Sequence, residues 1–369
     1  MIFYCWIIIY IMNTLKIEQA MNIVSWYKKN KRFLPWHKND AYAIWISEIM
    51  LQQTRIEAVK PKYIQFMNTL PTMQSLAECD DDTLMRLWEG LGYYSRARNL
   101  KKCAQVVCQT YHGVLPADYQ TLLTLPGIGS YTAGAISSIA YHRPVSAIDG
   151  NVLRVLTRYF EINEDVRLPQ TKDLIEQSLT KIYHSKQKGD FFSAFNQGLM
   201  EIGETICTPS GKPNCQHCPL SDDCKAYKNQ TYEAIPYRSK LKKRKIIKRT
   251  ILVIRDGSSF LLHKRDNTGL LANLYEFIGV DTYLSQKEMI SFVQSLDLQP
   301  IKISKLPDSK HIFTHLEWHM KGFEVQVEQI ASTPSNNYVL ATKKELSSLA
   351  IPSAFKTYIN WYDLRSNAL

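Results

Sequence analysis

The chain has 369 residues, of which 45% are hydrophobic and 21% charged, and its formal net charge at pH 7 is +11. That length asks for two or three domains, and the composition fits a soluble globular protein and excludes a disordered one. Eight basic residues and no acid lie within Arg238–Arg249, so the remainder is only mildly basic; the charge permits a polyanionic partner without proving one.

The opening Met1–Met12 is strongly apolar, yet it stops short of the roughly 20 residues a membrane helix needs. No basic residue precedes it and no small-residue cleavage site follows. Residues 1–14 therefore read as an uncertain apolar extension, with Met12 or Met21 as the expected initiator, no membrane partner and a cytoplasmic location.

From Ile17 to about Leu220 apolar residues recur at helical spacing, broken by Pro and Gly at Leu34-Pro35, Leu70-Pro71, Pro126 to Gly129 and Leu168-Pro169. This predicts an all-helical domain over 15–230. Within it Ala41–Leu51 is apolar nearly all round, which predicts a buried helix and singles out its one carboxylate, Glu48. The stretch Leu125-Pro126-Gly127-Ile128-Gly129-Ser130-Tyr131-Thr132-Ala133-Gly134 reads as a hairpin that opens a helix. Gly127 and Gly129 permit positive backbone angles and keep side chains away from a phosphate, which the free N–H groups of the helix start would face. The same stretch also reads as a tight turn between two core helices. Asp149-Gly150-Asn151 follows it closely.

Of eight cysteines, Cys5, Cys79, Cys103 and Cys108 are scattered and read as buried apolar residues, whereas Cys207, Cys215, Cys218 and Cys224 fall within eighteen residues. Four such thiolates suit a zinc ion or an iron–sulfur cluster. Zinc ribbons pair two C-x2-C knuckles and only one is present, which favours a cubane cluster. The basic stretch after it, placed in a linker over 231–246, reads either as solvated connection or as a contact to DNA backbone. The period then changes to two: Thr250–Arg255, a turn at Asp256-Gly257 and Phe260–Lys264 predict a β-hairpin, and Leu316–Lys321 and Phe323–Val327 predict further half-buried strands. A smaller α+β domain over 247–365 follows from this.

Taken with Leu34-Pro35-Trp36, Ser47–Thr54, Gly90–Arg96, Asp149–Val152 and Phe195-Asn196-Gln197, the hairpin and the cysteine loop make the chain resemble the helix-hairpin-helix DNA glycosylases, most closely their MutY-type adenine-specific branch. The resemblance covers most of residues 15–365. It implies a multi-domain protein: an all-α glycosylase domain holding one [4Fe-4S] cluster on Cys207, Cys215, Cys218 and Cys224, then an α+β Nudix-like domain that reads 8-oxoguanine.

Cleaving a base from deoxyribose needs a proton for the leaving base and negative charge beside an oxocarbenium-like sugar, which two carboxyls with separated pKa values provide. A desolvated Glu48 suits the acid and an ionised Asp149 the anion. The resemblance assigns them these roles, with Glu48 protonating adenine N7 and later activating water, and Tyr131 and Asn151 beside them. Endonuclease III-type relatives carry a nucleophilic lysine two positions after the second hairpin glycine; Tyr131 stands there and cannot form an imine, which implies a monofunctional glycosylase.

The resemblance further implies that Leu51, Gln52 and Gln53 fill the duplex after the adenine leaves it, that Gly127 and Gly129 hold a phosphate, and that Tyr93 wedges beside the damaged guanine. Trp36, Gln197 and Glu201 would line the adenine pocket. Phe313-Thr314-His315 matches the loop that contacts 8-oxoguanine, with threonine where serine is usual. No R-E-x-x-E-E metal motif occurs between residues 247 and 369, so pyrophosphatase chemistry is not expected. The expected partner is double-stranded DNA with A:8-oxoG or A:G mispairs, bound by a monomer. Two other readings stay open here: an endonuclease III-like glycosylase and lyase for oxidised pyrimidines, and a non-catalytic iron–sulfur DNA-binding protein.

Overall fold

A computed structural model of the chain describes residues 14–37, 40–240, 243–257, 259–335, 337–346 and 348–362. The apolar opening with Cys5, Leu241 and Lys242 of the basic run, and the stretch beyond 362 lie outside them. The fold divides into two compact units, Met1–Glu78 with Arg98–Lys240, and Cys79–Ala97 with Leu241–Leu369.

The first unit is helical, as its apolar spacing predicts. Helices α1 (Ile17–Asn30), α2 (Ala41–Leu51), α3 (Ser130–Ala135), α4 (Gly150–Phe160) and α5 (Phe191–Thr205) form its frame. Ile23 of α1, Val155 and Leu156 of α4, and Phe195 and Leu199 of α5 share one core. Helix α2 is capped by Asp40, whose carboxylate accepts the Tyr42 and Ala43 N–H groups, and every residue from Tyr42 to Met50 is buried. Its Ile44 packs with Ala135 and Ile139, the latter in a π turn, Ile136–Ala140, that continues α3. Glu48 lies one turn after Ile44 on the same face, and Tyr131 one turn before Ala135, so the apolar contact that joins α2 to α3 also aligns the carboxyl with the phenol.

The second unit is built on a mixed sheet. Seven strands occur among the described residues: β1 (Lys245–Asp256), β2 (Ser259–Lys264), β3 (Tyr275–Val280), β4 (Pro300–Lys305), β5 (Ser309–Ile312), β6 (Leu316–Val327) and β7 (Tyr338–Thr342). Their order is β4-β6-β1-β3-β2-β7, with β5 paired to β6; β1 and β6 run parallel and the other pairs antiparallel. Ile251 and Val253 face a core closed by Tyr358 of helix α7 (Lys356–Trp361), while Leu252 and Ile254 face one closed by Met289 and Val293 of helix α6 (Gln286–Gln294). Cover on both faces explains why this part of β1 is continuously apolar.

The β1–β2 hairpin forms as its alternation predicts, with Asp256 opposite Ser259. Three boundaries differ from the sequence reading. The two segments expected as separate strands after Leu316 form one, β6, because its parallel pairing with β1 runs unbroken from Leu316 to Gln326, although the buried face changes sides after Gly322. The expected 231–246 linker is divided: Val166 N–H donates to the Tyr237 carbonyl (3.2 Å), holding residues up to 240 on the helical unit, whereas β1 already begins at Lys245. Residues 79–97, expected in the helical domain, belong to the second unit, where Lys264 Nζ lies 3.2 Å from Asp82 Oδ1. Such long-range ties leave no trace in local periodicity.

Candidate active site

A cleft of about 760 Å³ opens in the helical unit, a volume that suits a nucleotide-sized ligand. Its lining gathers Trp36, Glu48, Leu51, Gln52, Gln53, Tyr131, Asp149, Asn151, Gln197 and Glu201, residues dispersed over most of the unit's sequence. Gly127 and Gly129 do not line it, and Tyr93, Phe313, Thr314 and His315 belong to the second unit.

Glu48 is buried on α2 and accepts a hydrogen bond from the Tyr131 phenol. Burial pushes its carboxyl up to about 7, against the opposing pull of that hydrogen bond; the nearby Asp149 charge adds to the rise. Asp149 is the N-cap of α4: its Oδ1 accepts the Val152 N–H at 2.8 Å, which fixes the carboxylate at the positive end of the helix. Asn151 Nδ2 donates to Asp149 Oδ2 at 2.8 Å and to Glu204 Oε1 at 3.0 Å.

Burial also lifts Asp149, while its hydrogen bonds from Val152 and Asn151 and the Arg154 charge oppose the rise. The sequence reading expects a Glu48 pushed toward its neutral form beside an ionised Asp149, and burial raises both carboxyls. What distinguishes them is the surroundings. Asp149 has a helix N-terminus and an amide turned toward it and feels the Arg154 charge, and Glu48 has a phenol.

Behind Asp149 the network continues. Arg154 Nη2 donates to Asn151 Oδ1 (2.7 Å) and to the Gly203 carbonyl (2.8 Å), and its Nε donates to the Cys207 carbonyl (2.7 Å). Gly203 is needed here because a Cβ would stand 2.5 Å from Asn151 Cβ. The four cysteines line one small cavity next to α4, without disulfides among them, and Arg158 Nη1 lies 3.3 Å from Cys207 Sγ. Among the described residues no three His, Cys, Asp or Glu side chains converge closely enough to hold a single metal ion. A cubane presents four separate iron corners, one for each thiolate, so thiols set around a shared cavity, with a guanidinium beside one of them, fit such a cluster as a donor set.

The cleft also contains residues that no motif marked. Arg32 grips the buried Glu201 with both ends of its guanidinium, Nε to Oε1 at 2.6 Å and Nη2 to Oε2 at 2.9 Å. Tyr27 donates its hydroxyl hydrogen to Gln197 Oε1 at 2.9 Å, and Gln197 Nε2 donates to Ser193 Oγ at 3.0 Å. Trp36 is buried, edge-on to Tyr63 at 5.5 Å. Gln52 Nε2 donates to Thr132 Oγ1 at 3.3 Å, and Gln53 has left-handed backbone with φ +57°.

In the hairpin, Gly127 has φ +76° and a Cβ there would meet Asn99 Cβ at 2.6 Å, so this position requires glycine. Gly129 differs from the sequence reading: at φ −94° it is an ordinary extended N-cap to α3, and what it provides is open space in front of the helix start.

In the second unit, Phe313-Thr314-His315 forms the turn between β5 and β6, closed by Phe313 N–H donating to the Leu316 carbonyl at 2.9 Å. Phe313 packs edge-on against Trp318 at 4.9 Å, which leaves Thr314 exposed at the tip. The Tyr93 hydroxyl lies 3.0 Å from Thr314 Oγ1, although 221 residues separate them. Tyr93 has a positive φ of 47° between Gly92 and a guanidinium, Arg96, set over its ring at 5.5 Å.

No helix among the described residues is long and apolar enough to cross a membrane. Residues 46–185 match the HhH-GPD superfamily of base excision DNA repair proteins, and residues 250–361 match the NUDIX domain. An adenine DNA glycosylase of Buchnera aphidicola subsp. Baizongia pistaciae is 35% identical over 332 residues, covering 88% of this chain and 90% of its own. That of Mus musculus is 32% identical over 402 residues (93% and 77%), and that of Homo sapiens 30% over 408 residues (92% and 73%). Among solved structures, a thermostable thymine-DNA glycosylase overlaps 57% of this chain and 95% of its own, with 29% identity and a TM-score of 0.49. With relatives 30–35% identical that the chain covers over 73–90% of their length, the chain belongs to the adenine DNA glycosylase family.

Proposed function

We propose that the protein hydrolyses the N-glycosidic bond of adenine mispaired with 8-oxoguanine, or with guanine, in duplex DNA and leaves the abasic strand uncut. The observation that carries this reading is that Glu48, pushed up to about 7 by burial, shares one cleft with Asp149 fixed at a helix N-terminus. The adenine-specific names of relatives that match most of this chain support the choice of base.

With an adenine extruded into the cleft, Glu48 gives its proton to N7 and the C1′–N9 bond breaks, its electron pair leaving with the base. Asp149, whose anionic form the Val152 N–H, Asn151 and the Arg154 charge favour against the burial that raises it, stabilises the positive C1′ as carboxylate. Water then adds to C1′ and returns a proton to the Glu48 carboxylate. Tyr131 orients Glu48 through its hydrogen bond, and because it carries no amine, no imine to the sugar forms. Asn151 positions Asp149. Trp36, Gln197 and Glu201 are read as the adenine pocket, with Tyr27 and Arg32 holding the latter two in place.

Leu51, Gln52 and Gln53 at the cleft are read as filling the vacated stack, and the hairpin with Gly127 and Gly129 as holding a phosphate. Tyr93 and the Thr314 tip, flanked by Phe313 and His315, are read as contacting the opposite 8-oxoguanine. Cys207, Cys215, Cys218 and Cys224 would hold a [4Fe-4S] cluster, which when bound cross-links the loop against which Arg154 and Arg158 are hydrogen-bonded. The protein acts as a monomer in this reading.

The test is incubation of the purified protein with duplexes bearing A:8-oxoG, A:G or an oxidised pyrimidine, followed by strand analysis with and without hot alkali. Alkali-dependent breakage at adenine supports the proposal. Breakage without alkali at the pyrimidine would replace it with a lyase, and binding with no base released would reduce the protein to a DNA-binding module. A visible absorbance band lost on iron chelation checks the cluster.

A further inference from the structure

Four arginines line the cleft: Arg32, Arg55, Arg154 and Arg238. Arg32 is engaged with Glu201, and Arg154 with Asn151 and two carbonyls. Like Arg55, Arg238 is exposed and makes no ion pair among the described residues. Although it opens the basic run, it does not sit on a free linker. Arg158 Nε donates to the Ile235 carbonyl at 2.8 Å, Val166 N–H to the Tyr237 carbonyl at 3.2 Å, and Ser239 N–H to Asp165 Oδ2 at 3.0 Å. Arg167 Nη2 also donates to Ser239 Oγ at 2.8 Å. The backbone is thus fastened on both sides of Arg238, and the guanidinium is presented at the cleft from an anchored segment.

The same cleft carries four carboxyls, Glu48, Asp149, Glu201 and Glu204, a poor setting for a polyanion unless a free cation meets it. A guanidinium matches a phosphodiester in charge and in its paired donors. We propose that Arg238 is a phosphate clamp: it pairs with a backbone phosphate of the strand whose adenine enters the cleft and so seats the sugar against Asp149. This rests on the glycosylase reading above and adds a positioning residue to it.

The test uses the full-length protein and a duplex with a 2′-fluorinated, hydrolysis-resistant adenosine opposite 8-oxoguanine, with affinity measured across a salt series. Arg238→Ala should weaken binding roughly tenfold near 0.1 M salt and flatten the slope of log affinity against log salt by about one, the signature of one lost phosphate contact. Arg238→Lys should restore the slope, and both variants should unfold at the wild-type temperature. A wild-type slope for Arg238→Ala, or equal losses in both variants accompanied by a lower unfolding temperature, overturns the clamp. Release of adenine by the wild-type protein from the hydrolysable duplex is checked first, so that failure of the glycosylase reading is seen separately.

Discussion

Tyr131 donates its phenolic hydrogen to Glu48, and the two residues, 83 positions apart, are brought together by the packing of α3 on α2. The bond opposes burial and holds the Glu48 carboxyl lower than it would otherwise be. A general acid must be protonated to act, so excision should decline as pH rises through about 7. Removing the phenol in Tyr131→Phe lets burial act unopposed and raises Glu48 further, so the alkaline limb should move to higher pH. Single-turnover excision measured against pH checks this; an unmoved limb, or one moved to lower pH, contradicts the assignment.

Gly203 leaves room for Asn151, and Asn151 in turn holds Asp149. A methyl group at Gly203 would meet Asn151 Cβ at 2.5 Å and must displace it. Gly203→Ala should therefore slow single-turnover excision by about 10- to 100-fold, the scale of a small misplacement of a reacting group, while affinity for the uncleavable duplex changes little. Loss of affinity with an unchanged rate would assign Gly203 to binding.

Thr314 and Tyr93 meet through their hydroxyls at 3.0 Å. Thr314→Val keeps the shape and removes the hydroxyl, so the preference for A:8-oxoG over A:G should fall by about tenfold, the worth of one hydrogen bond to the base. Competition between the two duplexes reads this ratio. An unchanged ratio would exclude the Thr314 hydroxyl from recognition.

Much of this was legible in the chain because the relevant signals are local. An apolar segment with no polar face marks α2 as buried and makes Glu48 stand out. Strand alternation survives in β6 as two stretches of opposite phase, Trp318 and Met320 buried in the core closed by α7, and Val325 and Val327 in the core closed by α6. What stayed hidden depends on distant partners. Arg32 and Tyr27 are unremarkable until Glu201 and Gln197 are opposite them, and the attachment of residues 79–97 to the sheet unit rests on contacts such as that of Tyr93 with Thr314. The rise of Asp149 also follows from burial that a loop position does not announce.

Release of free adenine from an A:8-oxoG duplex under single-turnover conditions, compared among the wild type, Glu48→Gln, Asp149→Asn and the double variant, addresses the paired carboxyls most directly. Asn remains a good N-cap, so Asp149→Asn should fold and bind duplex. Each single variant should lose nearly all excision, and the double variant should lose little more than the worse single, as expected of groups that act as a unit. Near-wild-type release by either single variant would contradict the assignment.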